Sequence, residues 1–225
     1  MSRWKLSVGG VDVSVSPEDK TRRFYDVTAD SYDSLMEQEI QIPLYDRVLG
    51  ALARAVEAVP GVILDSSCGS GHMLQRIADK YCPGRELVGV DLSPEMVRIS
   101  RNRLGDSAEI LEGNMSSLPQ IPDSSSAAVI SFFAIHHVDE SGLRKCIGEW
   151  RRVLATGGQL FLAAWEGSGD VDYGDASDVV ARRYTEEELT NVVSWANMRL
   201  SRASVEPVEG MDMDVVHVTA VKPSV

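Results

Sequence analysis

The stretch Val62-Ile63-Leu64-Asp65-Ser66-Ser67-Cys68-Gly69-Ser70-Gly71 decides how the chain is read. An apolar run of strand length ends in a carboxylate, a turn with two glycines follows, and helix-forming residues continue to about Lys80. Such a glycine-rich turn lets a ligand approach the backbone closely. In open α/β sheets the ligand crevice lies beyond the carboxyl ends of the strands. The next apolar run, Leu87 to Val90, ends at Asp91. Ser93-Pro94-Glu95 then opens a helix with a cap residue, a proline in the first turn and an acid beside it.

Working outward, further strands are expected at Glu109 to Leu111, Ala128 to Phe132 and Gln159 to Ala164. The last is reached through a helix from Ser141 to Leu154 and a Thr156-Gly157-Gly158 turn. Alternating strand and helix segments predict an α/β sheet of mostly parallel strands. Thr185-Glu186-Glu187-Glu188 reads as a capping box. Arg199 to Val205 and Val215 to Val221 are two strands around a turn at Gly210, antiparallel because no helix separates them. Upstream, Ser16-Pro17-Glu18-Asp19 starts a helix carrying Phe24 and Tyr25, and a second helix runs from Pro43 to about Ala58. Trp4, Leu6 and Val8, then Val11, Val13 and Val15, alternate around Gly9-Gly10 as a hairpin. Two readings of that hairpin stay open, a cap over a substrate site or an edge that pairs with a second copy in a homodimer.

At 225 residues, with 44% hydrophobic and 25% charged residues, the chain is expected to fold as one domain. Its net charge of -12 repels phosphate backbones and anionic membranes, which argues against nucleic-acid and membrane partners and leaves a small molecule as the expected one. Cys68, Cys82 and Cys146 form no CxxC pair, so no metal site or disulfide framework is expected and a cytoplasmic location fits.

Two ligand classes compete for the glycine turn, the nicotinamide or flavin dinucleotides and S-adenosylmethionine. A dinucleotide wants a third glycine where this chain has Leu74. Asp65 would be a like charge beside a pyrophosphate but a favourable partner for an ammonium or sulfonium, so charge logic prefers the cationic cofactor. Asp91 can accept hydrogen bonds from the ribose hydroxyls of either.

VILDSSCGSG at 62–71, GVDLSPEMV at 89–97, EILEGNMSSLP at 109–119, SFFAIHHV at 131–138 and EWRRVLATGGQLFLAAW at 149–165 together resemble the class I S-adenosylmethionine-dependent methyltransferases. The likeness is to the small-molecule branch that includes the ubiquinone and menaquinone biosynthesis enzymes. FYDVTADSYD at 24–33 is similar to the family's covering segment. The resemblance implies a Rossmann-like seven-stranded sheet with an antiparallel last strand, a hairpin and lid helices over 1–58, and a cofactor-binding core over 59–225. It implies that Asp65, Ser66, Ser67, Cys68, Gly69 and Gly71 hold the methionine portion of S-adenosylmethionine and that Asp91 binds the ribose. By the same likeness Leu92 and Met96 pack on adenine, with Asn114 and Met115 beside them and the Asn114 carbonyl oxygen accepting from the adenine amino group. Phe132 and Phe133 lie along the methionine arm, and Tyr32 closes from above. The chain departs from the pattern at Ser67, where the family has a glycine, at Ser126-Ala127, and at Thr156. A serine at 67 is strained if its φ must be positive.

Methyl transfer needs approach geometry, exclusion of water and, for a poor nucleophile, a base. His136 and His137 follow the fourth strand, and a neutral imidazole suits that role. Adjacent residues face opposite ways, so only one is expected in the site, with His137 preferred. A purely structural role, bonding to backbone, stays open. Tyr25, Phe133, His137, Trp165 and Glu166 are the candidate substrate contacts, and Asp170, Asp172, Tyr173 and Asp175 belong to a loop that could attract an amine. The expected function is methylation of an O, N or C nucleophile on a small molecule, such as a secondary metabolite or a quinone precursor. The alternatives are a protein on this fold that does not transfer methyl, and a nicotinamide oxidoreductase.

Overall fold

The computed structural model describes residues 15–171, 179, 181–208 and 212–224. The hairpin expected before Val15, the loop residues Asp172, Tyr173 and Asp175, and the Gly210 turn lie outside the described residues.

Helix α1 (Pro17–Glu39) starts where Ser16 accepts a hydrogen bond from the Asp19 N–H, with Pro17 in the first turn, and α2 (Pro43–Val56) follows. Strands β1 (Val62–Asp65), β2 (Leu87–Asp91), β3 (Glu109–Glu112), β4 (Ser126–Phe132) and β5 (Leu154–Trp165) alternate with helices α3 (His72–Arg76), α4 (Pro94–Leu104) and α5 (Glu140–Val153). A short ribbon, β6 (Asp170–Val171) with β7 (Ala181–Arg182), was not foreseen. Then come α6 (Glu186–Trp195), β8 (Arg199–Pro207) and β9 (Asp214–Val221). The seven-stranded sheet has the order β3-β2-β1-β4-β5-β9-β8. β1 to β5 pair in parallel, while β9 runs antiparallel between β5 and β8, as expected of the last strand.

Both faces of the sheet are covered, so the inner strands read as continuous apolar runs. Leu64, Val129, Leu160 and Leu162 face α5 and α6, packing with Cys146, Trp150 and Val193. Ile63, Ala128, Ile130 and Phe161 face the other way, onto Leu49 and Leu52 of α2 and Leu74 and Ile77 beyond the glycine turn. Fully burying each such Leu or Ile contributes about 1.5–3 kcal/mol.

The helix expected from 72 to about Lys80 is only partly α. From Ile77 to Tyr81 it is a π turn, closed by the Cys82 N–H donating to the Ile77 carbonyl at 2.8 Å. The wider turn gathers Arg76, Lys80 and the Tyr81 hydroxyl on one carboxylate of α2, Asp46, whose pKa they hold down at about 2.

Candidate functional site

β1, β2 and β4 end side by side at Asp65, Asp91 and Phe132, and α1 lies over α4 and the turn at Ile135–His137. Between them is a cavity of about 500 Å³. The glycine turn is tied to both neighbouring strands: Ser66 N–H donates to Ile130 O at 3.0 Å, and Cys68 N–H to Val90 O at 2.9 Å. Asp91 then fixes two elements at once. Its Oδ2 accepts from Gly69 N–H at 2.8 Å and its Oδ1 from Ser93 N–H at 2.9 Å.

Gly69 and Gly71 have φ of +51° and +87°, the left-handed region that glycine enters without strain. A Cβ on Gly69 would come within 3.2 Å of the Tyr32 ring, so this glycine lets the α1 tyrosine seat on the turn. Ser67 is absent from the described non-glycine residues with positive φ, so the strain anticipated there does not arise. Its hydroxyl is buried and has no hydrogen-bond partner.

Two carboxylates, Asp65 buried and Asp91 half-buried, stand beside this turn. Desolvation raises Asp65 to about 7, opposed by a Ser67 N–H bond and reinforced by the charge of Asp91. Desolvation also raises Asp91, to about 6, against the backbone N–H groups that it accepts. Both carboxylates therefore favour a cationic or hydroxyl-bearing neighbour and oppose an anionic one.

α1 is held down by side chains. Arg103 of α4 donates to Asp33 at 2.8 Å and Glu37 at 3.1 Å, and to the Ser70 carbonyl at 2.9 Å. Ser93 Oγ donates to Asp26 at 2.6 Å. Ala29, Met96 and Ile99 pack together beneath Tyr25 and Tyr32.

Of the residues singled out in the sequence, Tyr25, Tyr32, Ser66, Ser67, Gly69, Asp91, Leu92, Met96, Asn114, Met115, Phe132, Phe133 and His137 line the cavity. Asp65 and Cys68 sit behind the turn in a recess of about 30 Å³, beside Tyr32 and Phe132. Gly71 caps α3 and packs on Ser100. Glu166 is not brought to the cavity: its N–H donates to Asp214 O, and its backbone bridges to Tyr184. Asp170 lies in the β6–β7 ribbon.

The Asn114 carbonyl oxygen does not stand free for an adenine amino group. It accepts from both the N–H and the hydroxyl of Ser116, each at 2.8 Å, which uses both lone pairs. What this side chain can offer a ligand is its NH2. The two histidines have different partners. His137 Nε2 lies 2.9 Å from the Tyr25 hydroxyl. His136 is buried with Nδ1 2.7 Å from the Arg182 carbonyl, and burial lowers its pKa to about 4, which makes it a poor base. Phe133 has φ +54°, a conformation that costs a non-glycine residue about 1–2 kcal/mol. Its ring stands 4.5 Å from that of Trp165.

The mouth of the cavity is formed by residues the sequence did not reveal: Ser16, Pro17, Glu18 and Thr21 of α1, and Asp139, Gly142 and Lys145 at the start of α5. Ser16 was legible as a helix cap, but nothing local says that it and Asp139, the cap of α5, face one opening.

Residues 63–158 match the family model of a methyltransferase domain. Along 97% of this chain and 94% of the other, the fold superposes with TM-score 0.73 and 18% identity on the 1,6-didemethyltoxoflavin-N1-methyltransferase of Burkholderia thailandensis, solved with its substrate and S-adenosylhomocysteine. The chain thus has the class I methyltransferase fold, and its residues 63–158 are similar to the methyltransferase domain family. A demethylmenaquinone methyltransferase from Thermus thermophilus is 34% identical over 115 residues, half of each chain. The [4+2]-cyclase SpnF shares the fold at TM-score 0.71 and 18% identity, over 92% of this chain and 97% of that one. The chain spans 60%, 50% and 40% of the length of three curated relatives it matches.

S-adenosylmethionine, the cofactor of this methyltransferase family, suits the residues present. The orphaned Ser67 hydroxyl, the cradle at Gly69 and the uncompensated pair Asp65 and Asp91 answer a ligand that carries cationic and hydroxyl groups. Among the described residues no three His, Cys, Asp or Glu side chains gather to hold a metal, and no helix is long and apolar enough to cross a membrane.

Proposed function

We propose that this chain transfers a methyl group from S-adenosylmethionine to an oxygen, nitrogen or carbon nucleophile of a small molecule seated in the cavity. The observation that carries this reading is the meeting, in one cavity, of the glycine turn and Asp91 with the Tyr25–His137 pair. The cofactor supplies a methyl carbon already activated by a sulfonium leaving group. Asp91, though it also serves backbone N–H groups, keeps acceptor capacity for the ribose hydroxyls. Ser67 offers its hydroxyl to the methionine portion, and Tyr32 and Phe132 exclude water beside it. The Tyr25 oxygen takes the proton of the nucleophile while passing its own to His137 Nε2, so the acceptor attacks as the better nucleophile.

A quinone precursor is one acceptor class to test first, because of the 34% identity to a demethylmenaquinone methyltransferase. A cytoplasmic location goes with this reading and with the three unpaired cysteines. The test is to incubate the protein with S-adenosylmethionine and panels of phenols, amines and quinols, following S-adenosylhomocysteine and methylated product by mass spectrometry. Product with any acceptor, reduced at least about 100-fold in His137→Gln, supports the reading. Substrate consumed without S-adenosylhomocysteine contradicts it. That outcome would favour the second reading, a non-methylating catalyst on the same platform, for which the fold shared with a cyclase is the motive.

A further inference from the structure

Beside the main cavity is an annex of about 70 Å³, lined by His136, Trp165, Glu39 and Tyr45, which shares Tyr25, Tyr32, Phe133 and His137 with it. It is far below the roughly 150 Å³ that encloses a free benzene, so it serves as an extension of the larger space. One wall carries an unmet demand. His136 is 3% exposed, and its Nε2 is buried without a hydrogen-bond partner. Its Nδ1 faces the Arg182 carbonyl, which can only accept. The proton therefore sits on Nδ1, and Nε2 presents a bare lone pair.

The ribbon β6–β7 supplies that carbonyl, and the Tyr184 hydroxyl donates to Ile135 O and Val138 O at 3.1 and 2.8 Å, clamping the histidine turn from both sides. A buried acceptor without a partner calls for an explanation, and a donor on a bound molecule supplies one. The imidazole lone pair lies in the ring plane. The Trp165 and Phe133 rings lie within 17° and 22° of that plane. Both rings also line the annex, so a flat ring that carries the donor can lie against aromatic walls there.

We infer that the annex seats a hydrogen-bond donor, N–H or O–H, borne on a flat ring of the acceptor molecule, and that His136 Nε2 receives it. This rests on the reading that the cavity takes a small acceptor. His136 thus acts in selecting the acceptor, and His137 handles the proton. A ring lacking the donor leaves Nε2 unpaired and is rejected.

The test uses matched probes in which only the donor changes: indole against benzofuran, and phenol against anisole. Each is titrated by calorimetry into the protein saturated with S-adenosylhomocysteine. The donor-bearing member is expected to bind at least about tenfold tighter than its partner. In His136→Asn, whose amide keeps an N–H for Arg182 while removing Nε2, the ratio is expected to fall to near one. His136→Phe serves as a second variant with the same expectation. Absence of binding by the donor-bearing probes, equal binding of both members by the parent, or an unchanged ratio in the variants would overturn the inference. S-adenosylhomocysteine titrated alone into the same preparations separates the two levels. If it binds while discrimination fails, only the inference falls; if it fails to bind, the cofactor reading falls.

Discussion

The Tyr25 hydroxyl on the covering helix α1 lies 2.9 Å from Nε2 of His137, on the turn after β4, across 112 residues of sequence. The pair exists only while α1 lies on the core, so the group proposed to handle the proton is completed by the same element that closes the cavity. Coupling of this kind keeps a base from working on an open, wet site.

Tyr25→Phe removes the hydroxyl and keeps the ring, which meets Phe24 and Tyr32 edge to face at 5.3 and 5.9 Å. Cofactor affinity is expected to stay within about twofold, while kcat falls about tenfold or more. Equal losses in cofactor affinity and kcat would show that Tyr25 merely packs α1. Titration calorimetry and initial rates on one preparation distinguish the two.

The lid is expected to depend on Arg103, which bridges α4 to Asp33, Glu37 and the Ser70 carbonyl. Arg103 is largely buried, so Arg103→Gln strands part of this network and should cost about 1–3 kcal/mol of stability. Amide hydrogen exchange over 17–39 should accelerate while that of β4 and β5 does not. Uniform acceleration across the sheet would place the effect outside the lid.

Asp65 gives a pH signature. Its folded-state pKa of about 7 lies above the ordinary 3.8, so the folded protein binds the extra proton between those values. The parent therefore gains stability from this group as pH falls from about 7 toward 4, and carries the full cost of the buried charge above 7. Asp65→Asn is expected to be more stable than the parent at pH 8, by an amount of order 4 kcal/mol, with the difference shrinking toward pH 4. Comparing variant with parent cancels the buried histidines His136 and His217, which titrate in the opposite sense. A difference independent of pH would mean that Asp65 titrates in the folded protein as it does in the unfolded chain.

Much of the architecture was legible because it is written locally. Apolar runs ending in Asp65 and Asp91, the caps at Ser16, Ser93 and Thr185, and the glycines at 69 and 71 each fix a few residues of backbone by short-range chemistry. The turn and strand end proposed to hold the cofactor were legible for the same reason, since each is a local feature. What escaped was set by distant packing. The π turn at Ile77–Tyr81 goes with Asp46 on another helix, and the Asn114 oxygen is spent on Ser116 by a turn whose shape the motif does not state. The different contacts of His136 and His137 are set by Arg182 and Tyr25, neither of them near in sequence.

The central claim is that the turn from Asp65 to Gly71 together with Asp91 holds S-adenosylmethionine. It is tested most directly by titrating the purified protein, stripped of ligand, with S-adenosylmethionine, S-adenosylhomocysteine and NADH in parallel, and repeating the first two with Asp91→Asn. The account predicts micromolar binding of the two sulfur compounds, none of NADH, and affinity at least about tenfold weaker in Asp91→Asn, which loses the charged acceptor for the ribose. Binding of NADH, or sulfur-compound affinities that Asp91→Asn leaves unchanged, would contradict it.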